Sequence, residues 1–266
     1  MAIKLFVSDI DGTLLVSGKN ISAKNIEAVQ KMVEAGITVT LGTGRMYHAA
    51  LPVAQALGVN VPLITYNGAL IKSVSGEVFY EKPLPPEIVV EVTNFFEKNN
   101  WHIQNYSEDK LYFAVYDEYA KYYENNQKVK GQTIGWEEMK KKTAHVCKML
   151  GISSGLEETE KISAAVKKEF GDKISITRST PIFNEIVCPG ISKASAIKIL
   201  EQRLGIDNSE VMAIGDSNND LPMLKAAGKS IAMGNATDEI KSFCDYTTGF
   251  CEDDGFAEAV YKYVLN

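Results

Sequence analysis

Apolar and polar positions alternate in short blocks along the first third of the chain. Lys4–Ser8 is a β-branched and aromatic run ending at polar residues, as expected of a strand buried on both faces. Ser22 can cap a helix in which Ile26, Val29 and Val33 recur at helical spacing until Gly36 stops it. Ile37–Leu41 reads as a second strand, and Gly42-Thr43-Gly44 as a turn opening a helix that runs through Ala56. A third strand, Val61–Tyr66, ends at Asn67-Gly68. Strands that alternate with helices predict a doubly wound, Rossmann-like parallel sheet of the α/β class.

The pattern changes at Lys82-Pro83-Leu84-Pro85-Pro86, the densest proline cluster in the chain. A helix with Ile88, Val92, Phe95 and Phe96 on one face follows, then strand-like runs at Trp101–Tyr106 and Lys110–Tyr116 joined by a Ser-Glu-Asp turn. A Tyr- and Lys-rich helical stretch, a strand at Ala144–Leu150, a helix through Ile162, Val166 and Phe170, and strands at Lys173–Arg178 and Phe183–Val187 complete this region. Hairpins mixed with helices predict an α+β insertion. Past Cys188-Pro189-Gly190 the first pattern resumes, with helices at Lys193–Leu204 and Leu221–Ala227 and strands at Glu210–Ile214 and Ser230–Ala232. The expected organisation is a core of residues 1–82 and 188–266 interrupted by a cap of residues 83–187. Prolines at both crossings predict a short hinge and a cap that closes over the core as a lid.

With 45% hydrophobic and 23% charged residues the chain has ordinary globular composition. A net charge of −6 argues against nucleic acid or an anionic membrane as partner, so any phosphate must be met by a local site. The N-terminal apolar run is too short for a secretion signal, and no stretch approaches the ~18 apolar residues of a membrane span. Four scattered cysteines without a C-x-x-C pair suggest free thiols, hence a cytoplasmic protein, expected to be a monomer or weak dimer.

Two acidic clusters stand where strands should end. Asp9-Ile10-Asp11-Gly12-Thr13-Leu14 follows the first strand, and ligands of open parallel sheets bind beyond the carboxyl ends of strands. Residues two apart in a strand share a side, so Asp9 and Asp11 can flank one reacting group. Gly215-Asp216-Ser217-Asn218-Asn219-Asp220 follows a later strand, and two such clusters make the hard-oxygen pocket that Mg²⁺ prefers. Asp220 can either ligate or cap the next helix. Gly42-Thr43-Gly44-Arg45 is neither a dinucleotide fingerprint nor a P-loop, yet its amides and hydroxyl could cradle phosphate. Lys193 opens a helix, where its charge opposes the macrodipole and calls for an anionic partner. Gly151-Ile152-Ser153-Ser154-Gly155 imitates a hydrolase nucleophile elbow, but His48, His102 and His145 all precede Ser153, in the wrong order for that triad.

Together these motifs resemble the haloacid dehalogenase-like phosphohydrolases, and more closely their Cof-type sugar-phosphatase subgroup. D-x-D-G-T-L stands at 9–14, the motif threonine at Thr43, the motif lysine at Lys193 and G-D-x-x-N-D at 215–220; Asn67-Gly68-Ala69 and Met233-Gly234-Asn235-Ala236 also match. The resemblance implies a phosphatase for small phosphate monoesters, with Asp9 as nucleophile and Asp11 as general acid and base. It implies Mg²⁺ on Asp9, the Asp11 carbonyl and Asp216, supported by Asp220 and Asn219. Thr43, Gly44, Arg45, Lys193 and Asn219 would meet the phosphate or substrate. A phosphomutase or other phosphotransferase, and a non-catalytic phosphate-binding regulator, are the alternatives on the same scaffold.

Overall fold

The protein is described by a computed structural model covering residues 2–16, 19–59 and 61–266, so Met1 of the N-terminal run lies outside the described residues. Its centre is a five-stranded parallel sheet. In spatial order the strands are Tyr246–Thr247, Lys229–Ala232, Val211–Gly215, Leu5–Ser8 and Thr38–Leu41. Leu5, Phe6, Val7 and Ser8 are all buried, which is why this strand carries no alternation. Helices cover both faces: Phe6 packs edge-on against Phe256 on one side, while Leu5 and Val7 join Ile197 and Leu200 on the other.

Ser22 caps the first helix, Ala23–Glu34, accepting a hydrogen bond from the Asn25 amide as the sequence predicts. Its buried face is Asn25, Ala28, Val29 and Met32, whereas Val33 is exposed. The buried stripe is thus rotated by about one position from the predicted one, with Val29 common to both. Asn25 belongs to it because its amide donates to the Leu14 carbonyl and its oxygen accepts from the Ala257 amide.

The third strand, Leu63–Thr65, pairs with the parallel sheet at a single bridge between Gly42 and Ile64 among the described residues. It turns instead into a separate three-stranded antiparallel sheet with Leu70–Lys72 and Val78–Glu81. Short runs around Asn67-Gly68 and Ser75-Gly76 concealed this meander in the sequence.

The inserted region forms a six-stranded mixed sheet in the order Ser175–Thr177, Phe183–Val187, Met149–Ile152, His102–Ser107, Lys110–Phe113 and Gln132–Thr133. Pairing is antiparallel except at the last, parallel, pair. The strand expected at Ala144–Leu150 lies later in the chain and takes in Gly151 and Ile152. Phe96 sits over Gly151, 2.7 Å from where a Cβ would stand, so this stretch is strand and only Ser153–Gly155 is loop. Four helices line this sheet, among them Pro86–Lys98, Glu118–Gln127 and Leu156–Phe170. No helix among the described residues is long and apolar enough to cross a membrane.

Candidate active site

The first strand delivers Asp9 directly to the sheet's carboxyl edge, where its amide still donates to Ile214 of the neighbouring strand. The chain then curls back through Ile10–Leu15, held by Leu14 and Leu15 amides on the Ile10 carbonyl and the Gly12 amide on Leu15. Asp9 and Asp11 therefore reach one pocket through a turn and not through strand alternation. Their environments differ: the Asp9 side chain is 6% exposed and that of Asp11 44%. Gly12 adopts φ +81°, and a Cβ there would stand 2.4 Å from the Asp216 carboxylate. Only glycine lets the two acidic loops approach this closely.

Asp216 leaves the end of Val211–Gly215 and faces Asp9. Thr13 Oγ1 donates to one of its oxygens at 3.3 Å and Asn235 Nδ2 to the other at 3.2 Å. Asp220, four residues on, does not cap its helix with its side chain. One oxygen accepts from the amides of Asp216 (3.1 Å) and Ser217 (2.9 Å) and from the Ser217 hydroxyl. The other accepts from Lys193 Nζ at 2.5 Å.

Lys193 is fully buried at the start of Lys193–Leu204, which is anchored by a capping box between Ser192 and Ser195. Its ammonium donates to Asp9 at 2.7 Å as well as to Asp220. The anionic partner that the helix start demanded is this carboxylate pair. Lys193, which has no exposed surface, stands behind Asp9 and outside the wall of the open pocket.

One lysine among Asp9, Asp216 and Asp220 leaves a buried cluster short of positive charge. Burial, then the Asp220 charge, raises Asp9 well above the usual carboxylate range despite Lys193. The same two causes push Asp216 up to about 7. Burial alone would lower Lys193, but Asp220 and Asp9 outweigh it and raise its pKa. These directions agree with one another, because each group responds to the same excess of negative charge. The three carboxylates bring oxygens within 4.8 Å of one another. Three donors fill one Asp220 oxygen, but its other oxygen and those of Asp9 and Asp216 each accept at most one hydrogen bond among the described residues, so all three side chains keep capacity for a hard cation.

Asp11 is gripped by Arg45 through a two-pronged ion pair, Nε to Oδ2 at 2.8 Å and Nη2 to Oδ1 at 2.6 Å. Arg45, expected among the phosphate contacts, lines the same pocket as Thr43 and Gly44. The Gly42–Arg45 segment does not itself start a helix, since the helix begins at Tyr47 behind Met46. Thr43 and Gly44 nevertheless face the pocket. The Thr43 hydroxyl accepts from the Arg45 amide at 3.1 Å, and the Gly44 amide has no partner among the described residues. Asn219 donates to Asn67 at 3.0 Å, tying the third-strand turn to the Asp216 loop.

The pocket, about 250 Å³, lies between the sheet edge and the inserted region. The insert closes it with Tyr123, Gln127, Lys148, Thr180, Phe183 and Glu185, none of which the sequence reading singled out. The motif-bearing loops were legible because several chemical residues sit within a few positions. The insert's contribution is scattered over a helix, a strand and the segments leading into two strands, with no local signal to collect it.

The chain matches the haloacid dehalogenase-like hydrolase family over residues 6–260. It is 30% identical to the 5-amino-6-(5-phospho-D-ribitylamino)uracil phosphatase of Bacillus subtilis, with 99% of this chain and 96% of that protein aligned. A haloacid dehalogenase-like hydrolase of Bacteroides thetaiotaomicron superposes with a TM-score of 0.88 at 32% identity, covering 98% of this chain and 99% of that one. A subclass IIB sugar phosphatase of the superfamily superposes at 0.86 with 27% identity, covering 99% and 100%. The protein therefore belongs to the haloacid dehalogenase-like hydrolases, in their Cof-like phosphatase branch.

Proposed function

We propose that the protein hydrolyses small phosphate monoesters, of the sugar-phosphate kind, by way of an aspartyl-phosphate on Asp9 and with Mg²⁺ as cofactor. The observation that carries this reading is the seating of Asp9. It is buried at the sheet edge, held from behind by Lys193 and faced by Asp216, and it opens onto a pocket walled by Thr43 and Gly44. An Asp9 oxygen attacks phosphorus as the bond to the ester oxygen breaks, and Asp11 gives that departing oxygen its proton. Asp11 then takes a proton from the water that attacks the phosphorus, releasing phosphate and restoring the Asp9 carboxylate. Lys193 fixes the attacking carboxylate, while Thr43 and the Gly44 amide receive phosphoryl oxygens. Arg45 positions Asp11, and its fork must loosen for Asp11 to reach the leaving oxygen. Asp9 and Asp216, with the Asp11 carbonyl, would hold Mg²⁺, which when bound supplies the missing positive charge and neutralises the phosphoryl group.

Hydrolysis is favoured over a mutase because Arg45 and Lys148, the cations lining the pocket among the described residues, are committed to Asp11 and Glu185. A mutase needs a cation for the second phosphate of its bisphosphate. The test is phosphate release across a panel of monoesters with and without Mg²⁺, using the native protein and Asp9→Asn. Turnover that depends on Mg²⁺ and vanishes in Asp9→Asn, with no acid-labile phosphoenzyme in the variant, is expected. Normal turnover by Asp9→Asn would exclude the covalent route, and full activity in excess chelator would exclude the metal.

A further inference from the structure

Three consecutive backbone carbonyls of the turn over residues 10–15 are each taken by a side chain from outside it. Asn235 Nδ2 donates to the Gly12 carbonyl at 2.9 Å, the Cys251 thiol to that of Thr13 at 3.2 Å and Asn25 Nδ2 to that of Leu14 at 3.2 Å. Thr13 and Leu14 are buried, so their carbonyls need protein partners. The turn's own amides cannot serve them, because they donate to Ile10 and Leu15. The three donors come from distant parts of the chain yet share one support. The Cys251 amide donates to Asn235 Oδ1 at 3.0 Å, the Ala257 amide donates to Asn25 Oδ1 at 3.1 Å, and the thiol is that of Cys251 itself. A single C-terminal stretch, residues 251–257, therefore grips the turn that follows Asp9 and carries Asp11.

That stretch is itself anchored. The Thr248 hydroxyl donates to the Gly255 carbonyl at 2.7 Å, and the Thr248 amide donates to Ala232 of the sheet at 3.0 Å. A Cβ on Gly255 would stand 2.2 Å from the Gly249 carbonyl, so the backbone closes on itself there. The grip also reaches both oxygens of Asp216. Asn235 Nδ2 serves Asp216 Oδ2 at 3.2 Å as well as Gly12, and Thr13, whose carbonyl the thiol holds, gives its hydroxyl to Asp216 Oδ1 at 3.3 Å. Reversing the Asn235 amide would set its NH₂ against the Cys251 amide and its oxygen against two acceptors, so its orientation is fixed. Both donors on Asp216 are thus residues that Cys251 holds in place.

Resting on the Mg²⁺ reading above, we infer that Asn235 and Cys251 are positioning residues that hold the carbonyls of residues 12–14 in register with the Asp216 carboxylate and so set the cation site. Neither side chain stands on the pocket wall, and both act through Asp216 and the turn. Partners that orient a metal-binding carboxylate without touching the metal typically change its affinity by about 10- to 100-fold.

The experiment measures Mg²⁺ affinity by titration calorimetry, and kcat on p-nitrophenyl phosphate at limiting and saturating Mg²⁺, in the native protein, Asn235→Ala, Cys251→Ala and Cys251→Ser. Thermal melts of the metal-free proteins report folding. Asn235 is exposed, so trimming it opens no cavity in the core. Asn235→Ala is expected to bind Mg²⁺ about 10- to 100-fold more weakly, with kcat returning to within about 3-fold of native once Mg²⁺ saturates. Cys251→Ala keeps the amide that fixes Asn235 and loses only the thiol, so a loss of affinity of about 3- to 10-fold is expected, the size of one neutral hydrogen bond. Cys251→Ser keeps a donor and should recover most of that loss. Native Mg²⁺ affinity in Asn235→Ala, whatever its melting temperature, would make the residue purely structural and overturn the inference. So would Cys251→Ser binding no better than Cys251→Ala, a comparison that also decides the matter if Asn235→Ala fails to fold. A native protein that binds no Mg²⁺ and hydrolyses the ester in excess chelator would instead remove the metal reading, and the inference with it, before any variant is compared.

Discussion

A carboxylate's role in this site follows from how many of its lone pairs are already taken. Among the described residues, Asp220 takes three donors on one oxygen and Lys193 on the other, Asp11 gives both oxygens to Arg45, Asp216 accepts once on each oxygen, and Asp9 accepts only from Lys193. The same burial that isolates Asp216 pushes it up to about 7, so below that pH it tends to hold a proton that a cation must displace. The sign follows directly: cation binding releases a proton, so affinity rises with pH and levels off above the titration. Titration calorimetry with Mg²⁺ between pH 5.5 and 8.5 is expected to show affinity gaining up to about tenfold per pH unit below 7. In Asp216→Asn the slope should flatten together with a large loss of affinity. A pH-independent affinity in the native protein would contradict the assignment.

Among the elements, the turn at Tyr66–Gly68 does more than end a strand. Tyr66, Asn67 and Gly68 all adopt positive φ, and a Cβ on Gly68, at φ +105°, would stand 2.3 Å from the Ser192 carbonyl. That carbonyl belongs to the cap residue of the Lys193 helix, so the absence of a side chain at 68 sets how closely the turn and the lysine approach. Gly68→Ala is expected to cost at least ~1–3 kcal/mol from backbone strain, with more from the contact. Because the helix start must shift to relieve it, Lys193 moves off Asp9. Denaturant melts should therefore show a lowered midpoint, and kcat should fall further than the remaining folded fraction accounts for. A variant with native stability and kcat would show that the turn tolerates the side chain.

For the molecule as a whole, the question is what holds the insert over the sheet edge. The hairpin joining His102–Ser107 to Lys110–Phe113 has a two-residue loop, Glu108-Asp109, with φ of 52° and 57°. Such a turn prefers Asn-Gly, so two non-glycine residues there are strained. Docking on the core offsets that strain. The Tyr66 hydroxyl donates to Asp109 at 2.6 Å, and the amide of His48, in the first turn of Tyr47–Leu57, donates to the same oxygen at 3.3 Å. Asp109→Ala removes both contacts and keeps the strain, so the insert should spend more time away from the pocket. Hydrogen exchange in the crossings near Lys82–Pro86 and Val187–Gly190 is expected to quicken, and KM to rise by about 3- to 10-fold, with the fold otherwise intact. Unchanged exchange and KM would place the hold elsewhere, at Lys148 on the Gly44 carbonyl.

Local order was legible in the chain because it depends on neighbours in sequence. The uniformly apolar run at Leu5–Ser8, the Ser22 and Ser192 caps and the helix Lys193–Leu204 stand where periodicity and capping place them. The acidic loops at Asp9 and Asp216 could be matched as motifs because each packs its chemistry into six residues. Contacts between distant residues were not legible. Neither spacing nor propensity reveals that Arg45 forks Asp11 across 34 positions, or that Lys193 lies behind Asp9 and not in the pocket wall. The same holds for the third strand, which leaves the parallel sheet for a meander, and for the stripe of the first helix, rotated so that Asn25 meets Leu14 and Ala257. In each case a hydrogen bond or a buried charge chose its partner from what the folded chain brought within about 3 Å, and that choice exists only once the tertiary structure has formed.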